Sequence, residues 1–168
     1  MAATPAMVKF ALQLKPSEVC LVPENRAEVT TEGGLDVAGN EKSLRPVVQK
    51  LREAGILVSL FIDPDSKQVA ASAAVQAPVV ELHTGKFADA SPENRTKELG
   101  RLKEAALQAH GLGLQVNAGH GLRLGNLPEL LRVPHLHTLN IGHSLVSHAI
   151  TVGLEKSVQV FLEALADK

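Results

Sequence analysis

The sequence has no tryptophan and no tyrosine, and only four phenylalanines among 168 residues. Single-strand nucleic-acid binders stack bases on aromatic side chains, and that platform is missing. Positive charge is also not in excess. The formal net charge is -1, whereas a surface that tracks phosphates needs a basic surplus. These two absences exclude nucleic acid as the main partner. The single cysteine, Cys20, rules out an intramolecular disulfide and suits a reducing compartment. Its place in an apolar, strand-like run predicts a core position. No apolar run approaches the ~18–20 residues of a membrane span. Met1-Ala2-Ala3-Thr4 lacks the basic start and long apolar stretch of a signal peptide. The chain therefore reads as soluble and cytoplasmic. Neither HExxH nor CxxC occurs, and no GxGxxG follows a strand. No metal, dinucleotide or other cofactor is expected.

The chain is 45% hydrophobic and 21% charged, enough apolar material for one domain over residues 1–168. Strand and helix signals alternate throughout. Thr4-Pro5 opens a helix as cap and first residue, and Lys15-Pro16 closes it. Strands are expected at Glu18–Val22, Ile56–Ile62, Pro78–Leu82, Leu114–Val116 and Leu139–Ile141. Between the first two lies a polar connection from Pro23 to Asn40, hinged by Gly33-Gly34. A connection of that length is a candidate lid. A helix capped by Ser43 then buries Leu44, Val47, Val48 and Leu51. Further helices are expected near Asp65–Ala74, from Ser91 to His110, and near Pro128–Arg132. The tail, Leu154 to Leu165, is a final helix that places Leu154, Val158, Phe161, Leu162 and Leu165 on one face. Five strands alternating with helices make a parallel sheet. Two architectures remain open. By count, an open doubly wound sheet is favoured. Against it, the chain starts with a helix, and polar groups close every strand, as at the mouth of a (β/α)8 barrel.

The chemistry concentrates in a near-repeat. Asn117-Ala118-Gly119-His120 closes one apolar run and Asn140-Ile141-Gly142-His143 the next. Ligands of α/β proteins bind at strand carboxyl ends. His120, flanked by Gly119 and Gly121, suits general acid–base work. Gly142 and His143 stand at a helix start, where N–H groups and the dipole favour a phosphate. Glu81 and His83 share one face of their strand, and a carboxylate inside a parallel strand is costly unless paired or used. Asp63, before Pro64, reads as a turn or cap residue.

Six blocks taken together resemble a known family. They are Leu21-Val22-Pro23-Glu24, Glu28-Val29-Thr30-Thr31-Glu32-Gly33-Gly34-Leu35-Asp36-Val37, Val58-Ser59-Leu60-Phe61-Ile62-Asp63, Glu81-Leu82-His83-Thr84-Gly85, Val116-Asn117-Ala118-Gly119-His120-Gly121-Leu122 and Leu139-Asn140-Ile141-Gly142-His143. In this order they are similar to pyridoxine 5′-phosphate synthase. The resemblance implies a (β/α)8 TIM barrel, and for this chain a partial barrel of about five βα units without the first three strands. It implies condensation of 1-deoxy-D-xylulose 5-phosphate with 3-amino-2-oxopropyl phosphate, the ring-closing step of vitamin B6 synthesis. By position, Thr30 matches a contact for the deoxyxylulose phosphate, Glu81 a transition-state stabiliser and His120 the proton donor. Gly121, Gly142 and His143 match the amino-oxopropyl phosphate site. The polar connection looks like the family's closing lid, and the family forms homo-oligomers, namely octamers.

Family members are longer at the amino end. The extra stretch holds an Asn-x-Asp-His strand end, a His-x-Arg-Glu-Asp strand end and a glutamate on the third strand, among them two proton acceptors. The chain then represents the carboxyl-terminal two thirds of a member. Two readings follow: part of an active synthase, or a truncated non-enzymatic remnant that keeps the phosphate-binding half. Long, apolar exposed sheet edges are also expected.

Overall fold

The computed structural model describes residues 1–23 and 33–166. Its elements alternate along the chain. They are α1 (Pro5–Leu14), β1 (Glu18–Leu21), α2 (Val37–Glu53), β2 (Leu57–Ile62), α3 (Ser66–Ala74), β3 (Val79–His83), α4 (Gly85–Asp89), α5 (Pro92–Gly111), β4 (Gln115–Gly119), α6 (Leu127–Leu130), β5 (Leu136–Asn140), α7 (His143–Val152) and α8 (Leu154–Ala166). The five strands are all parallel and lie in the order β1-β2-β3-β4-β5. An open doubly wound sheet reverses its strand order at a switch point. This order never reverses, so the architecture that strand counting favours is overturned. Ala2 adds an isolated parallel bridge to Val22 beside β1.

Strand side chains alternate between two faces of different character. Val19, Leu21, Val58, Leu60, Ile62, Val80, Leu82 and Val116 join the apolar core. The helices α1, α2, α3 and α5 pack side by side in succession, with α2, α3 and α5 against the strands. The opposite face carries Cys20, Ser59, Phe61, Glu81, His83 and Asn117. Both faces of β3 are buried, so its polar side chains need partners, and these form the site described below.

Three boundaries depart from the sequence expectation. First, α2 begins at Val37 with Asp36 as its cap, and a kink at Asn40 separates this first turn from the segment that Ser43 was expected to cap. The missed turn is stabilised from a distance. Gln68 on α3 accepts hydrogen bonds from the N–H groups of Val37 and Ala38 at 2.7 and 3.1 Å and donates to Asp36 at 2.8 Å. Second, β4 runs on through residues assigned to its closing turn, so Asn117, Ala118 and Gly119 lie inside it, while β5 begins at Leu136 instead of Leu139 and ends at Asn140. Third, the expected face of α8 divides. Phe161 is buried, while Leu154 and Leu162 are 62% and 60% exposed. The helix is set by Ser157, which is fully buried, donates to the Leu145 carbonyl at 2.8 Å and contacts His148 Nδ1 at 3.1 Å. The expected apolar edge is also corrected, since the outer strand β5 exposes His137, Thr138 and Asn140.

Candidate active site

Glu81 sits at the middle of the central strand, in register with Phe61 on β2 and Asn117 on β4. It is only 8% exposed. Its Oε2 accepts hydrogen bonds from Asn140 Nδ2 at 2.7 Å and from Cys20 Sγ at 3.4 Å. Burial pushes the Glu81 carboxyl above its ordinary range, and the hydrogen bonds from Asn140 and Cys20 work against that rise. Burial, and next the charge of Glu81, push the Cys20 thiol up to about 12. Cys20 is therefore a protonated donor at neutral pH. It is only partly buried and faces the polar side of the sheet, rather than filling the core as its apolar run suggested.

His120 follows β4 in left-handed backbone, with φ 86°, a conformation uncommon outside glycine. Three hydrogen bonds from Thr84, at the neighbouring strand end, hold it. Thr84 Oγ1 donates to the Gly119 carbonyl at 2.8 Å and also to the carbonyl of His120, and the Thr84 N–H donates to Gly119 at 2.9 Å. The His120 ring lies edge-on to His83, with centroids 4.8 Å apart. Partial desolvation, and next the neighbouring His83, hold its pKa below the ordinary imidazole value, while the charge of Asp89 acts in the opposite direction.

His83 is 4% exposed, and its Nδ1 lies 3.0 Å from Asp63 Oδ1. Asp63 also accepts from the Gly34 N–H at 3.2 Å and from Lys86 Nζ at 3.4 Å. The hydrogen bond to His83 comes first, then the charge of Lys86, and they hold the Asp63 carboxyl well below the usual carboxylate range despite its burial. The turn reading of Asp63 thus missed its main role. It is a hub joining the strand ends of β2 and β3 to the residues preceding α2.

Beside these strand ends lies a cleft of about 900 Å³, lined by His120, Gly121, Arg123, Asn140, Gly142 and His143 among others. Gly142 caps α7 without any side-chain hydrogen bond, so the first N–H groups of a ten-residue helix stay open on the cleft side. Ser144 Oγ donates to the Leu122 carbonyl and ties the two turns together. N–H groups at a helix start beside an arginine make a site for a phosphate. Of the residues expected from sequence, His120, Gly121, Gly142 and His143 share the cleft, and Glu81 joins it through Asn140. Thr30 and residues 24–32 of the expected lid lie outside the described residues. Sequence reasoning gave Asn140 no role, although its place in the near-repeat with Asn117 was a usable signal.

A family model described as pyridoxal phosphate biosynthesis protein PdxJ matches residues 1–167. The chain belongs to this family. Among curated members, the pyridoxine 5'-phosphate synthase of Akkermansia muciniphila is 55% identical over 98% of this chain and 68% of its own length. That of Opitutus terrae is 53% identical over 95% of this chain and 65% of its own length. The chain thus spans about two thirds of the length of the curated PdxJ relatives it matches. Two solved structures of low identity share the fold alone. The citrate synthase SbnG aligns with a TM-score of 0.61 at 12% identity, over 98% of this chain and 70% of its own. A xylose isomerase domain protein from Planctomyces limnophilus aligns at 0.54 and 15%, over 91% and 65%.

Proposed function

We propose that this PdxJ chain contributes the proton-donating and phosphate-binding side of a pyridoxine 5′-phosphate synthase site. One observation carries the reading: an acid–base histidine and an uncapped helix start line the same cleft, and a buried carboxylate adjoins it. The start of α7 and Arg123 bind the phosphate of 3-amino-2-oxopropyl phosphate, with Gly121, Gly142 and His143 at the contact. His120 donates a proton to an oxygen that leaves as the pyridine ring forms. The neighbourhood that lowers its pKa makes its protonated form the stronger acid. Glu81 stabilises positive charge that develops as the amine condenses with a carbonyl. Thr30 meets 1-deoxy-D-xylulose 5-phosphate.

The unreversed strand order, with α1, α2, α3 and α5 packed in series, supports five βα units of an eight-unit barrel. Val146, Ile150, Leu154 and Leu162 expose an apolar face on α7 and α8, which supports association with further protein, such as a homo-oligomer. No described helix is long and apolar enough to cross a membrane. A cysteine content of one, with no disulfide framework, supports a reducing, cytoplasmic setting.

The test measures pyridoxine 5′-phosphate formed from the two substrates, using the 168-residue chain and a version extended at the amino end to the relatives' full length. The extended protein should turn over and the shorter one should do so little or not at all. Absence of product from the extended protein would sink the synthase reading. Robust turnover by the shorter chain would sink the assignment of further proton-transfer groups to the extension.

A further inference from the structure

Asn140 is the last residue of the outer strand β5, paired in register with Gly119 on β4 and two residues before the cap of α7. Its amide therefore lies between the buried carboxylate and the phosphate-binding turn. Glu81 Oε2 takes both observed hydrogen bonds, from Asn140 Nδ2 and Cys20 Sγ. Glu81 Oε1 lies over Gly119, where a Cβ would collide with it. Among the described residues no donor reaches Oε1. The carboxylate is therefore oriented, with one oxygen occupied by neutral donors and the other held over Gly119 without a hydrogen-bond donor among the described residues.

From this geometry we infer that Asn140 is a positioning residue: it fixes the Glu81 carboxylate so that Oε1 faces the reacting groups, and links that carboxylate to the turn that binds phosphate. The inference rests on the assignment of Glu81 to the reaction made above. An amide suits this position because it donates without titrating. Of the two donors it has the shorter and stronger bond, since a thiol is a weak donor. The titratable groups facing Glu81 are Cys20 and Glu18 from β1 and His83 from its own strand, while Asn140 from β5 is neutral. Cys20 stays protonated near neutral pH but is the weaker donor, and Glu18 carries no donor when charged, so neither replaces the amide.

The experiment reads Glu81 itself. Its carboxyl carbon is followed by 13C NMR against pH in the substrate-free protein and in two variants, Asn140→Leu and Asn140→Asp. A hydrogen bond to the ionised carboxylate favours ionisation. Its removal in Asn140→Leu should move the Glu81 titration to higher pH. Asn140→Asp keeps the shape and places a second carboxyl against the first, so it should move the titration further in the same direction. It also decides the matter if the leucine variant fails to fold. In the extended enzyme, turnover of Asn140→Leu should fall about 10–100-fold, the equivalent of one charge-assisted hydrogen bond. KM for the amino-oxopropyl phosphate should change little. A Glu81 titration at the wild-type pH in the folded variants overturns the proposal, whatever the kinetics. A shifted titration together with no synthase turnover by the extended wild type upholds the positioning and removes the reaction assigned to it.

Discussion

Replacing Gly119 by alanine is the most discriminating perturbation of this site. The backbone at Gly119 lies outside the left-handed region, so the substitution adds a methyl group without backbone strain. That methyl would overlap Glu81 Oε1 and lie 3.2 Å from Glu81 Cδ and 3.1 Å from Asn140 Cβ. Carbon pairs in contact prefer about 3.5–4.0 Å. The Glu81 side chain cannot yield freely, because it is buried in the central strand and its Oε2 is held from β5 and β1. Overpacking costs about 1–3 kcal/mol, and breaking a hydrogen bond to a charged acceptor costs about 1.5–3 kcal/mol. Relief of one worsens the other, so the expected loss is about 3 kcal/mol. For a chain of this size that lowers Tm by roughly 6–12 °C. Turnover should fall as well, because the carboxylate leaves its place. The assay is chemical and thermal denaturation of Gly119→Ala, Glu81→Ala and the double variant. With Glu81 truncated, the severe overlap is gone and Asn140 Cβ at 3.1 Å becomes the nearest neighbour of the added methyl, so its cost should drop below about 1 kcal/mol, leaving a coupling of about 2 kcal/mol. A Gly119→Ala cost that is the same with and without the Glu81 side chain would refute the clash, and with it the placement of the carboxylate.

In the extended enzyme, His120→Asn should fold normally, because asparagine tolerates left-handed backbone better than most residues, and should lose about 10²–10⁴-fold in turnover. Unchanged turnover would remove His120 from the chemistry, and a loss explained wholly by weaker phosphate binding would make it a contact instead. Asp89→Asn removes the carboxylate charge that supports protonation of His120. The His120 titration followed by NMR should then move to lower pH, and an upward movement would contradict the electrostatics. Asp63 has a depressed pKa in the folded protein, so its stabilisation is present above the unfolded value of about 3.9 and is lost as pH falls toward the folded value. Asp63→Asn should therefore cost about 1–2 kcal/mol at pH 7 and flatten stability below pH 4, as read by urea denaturation across pH. An undiminished acid dependence in that variant would place the acid-sensitive group elsewhere.

Strands and helices with strong local signals were legible in the sequence. The apolar run of β2, the Ser91-Pro92 start of α5 and the Thr4-Pro5 start of α1 each rest on residues within the element itself. Features built by distant partners were not legible. The first turn of α2 depends on Gln68, thirty-one residues from Val37, and the setting of α8 depends on Ser157 reaching the Leu145 carbonyl. The site followed the same rule. Glycine and histidine at strand ends marked His120, Gly121, Gly142 and His143 locally. Asn140 and Asp63 matter because they touch Glu81 and His83 on other strands, fifty-nine and twenty residues away. Strand order, which needs the hydrogen-bonded neighbours, decided against the doubly wound arrangement that simple counting favoured.

The anchoring of Gly34 has a consequence for how this site can change over time. A Cβ at Gly34 would run into the backbone of Ile62 and Asp63. The N–H of Gly34 is fixed to the Asp63 carboxylate, and Leu35 donates to the Phe61 carbonyl at 2.7 Å. The polypeptide therefore returns to the sheet at one defined point, immediately before α2. A change at Gly34 would therefore act on two features at once, the approach to α2 and the carboxylate that holds His83. One glycine thereby couples the seat of a helix to the setting of a buried histidine, and Gly34 becomes the least replaceable residue of the junction.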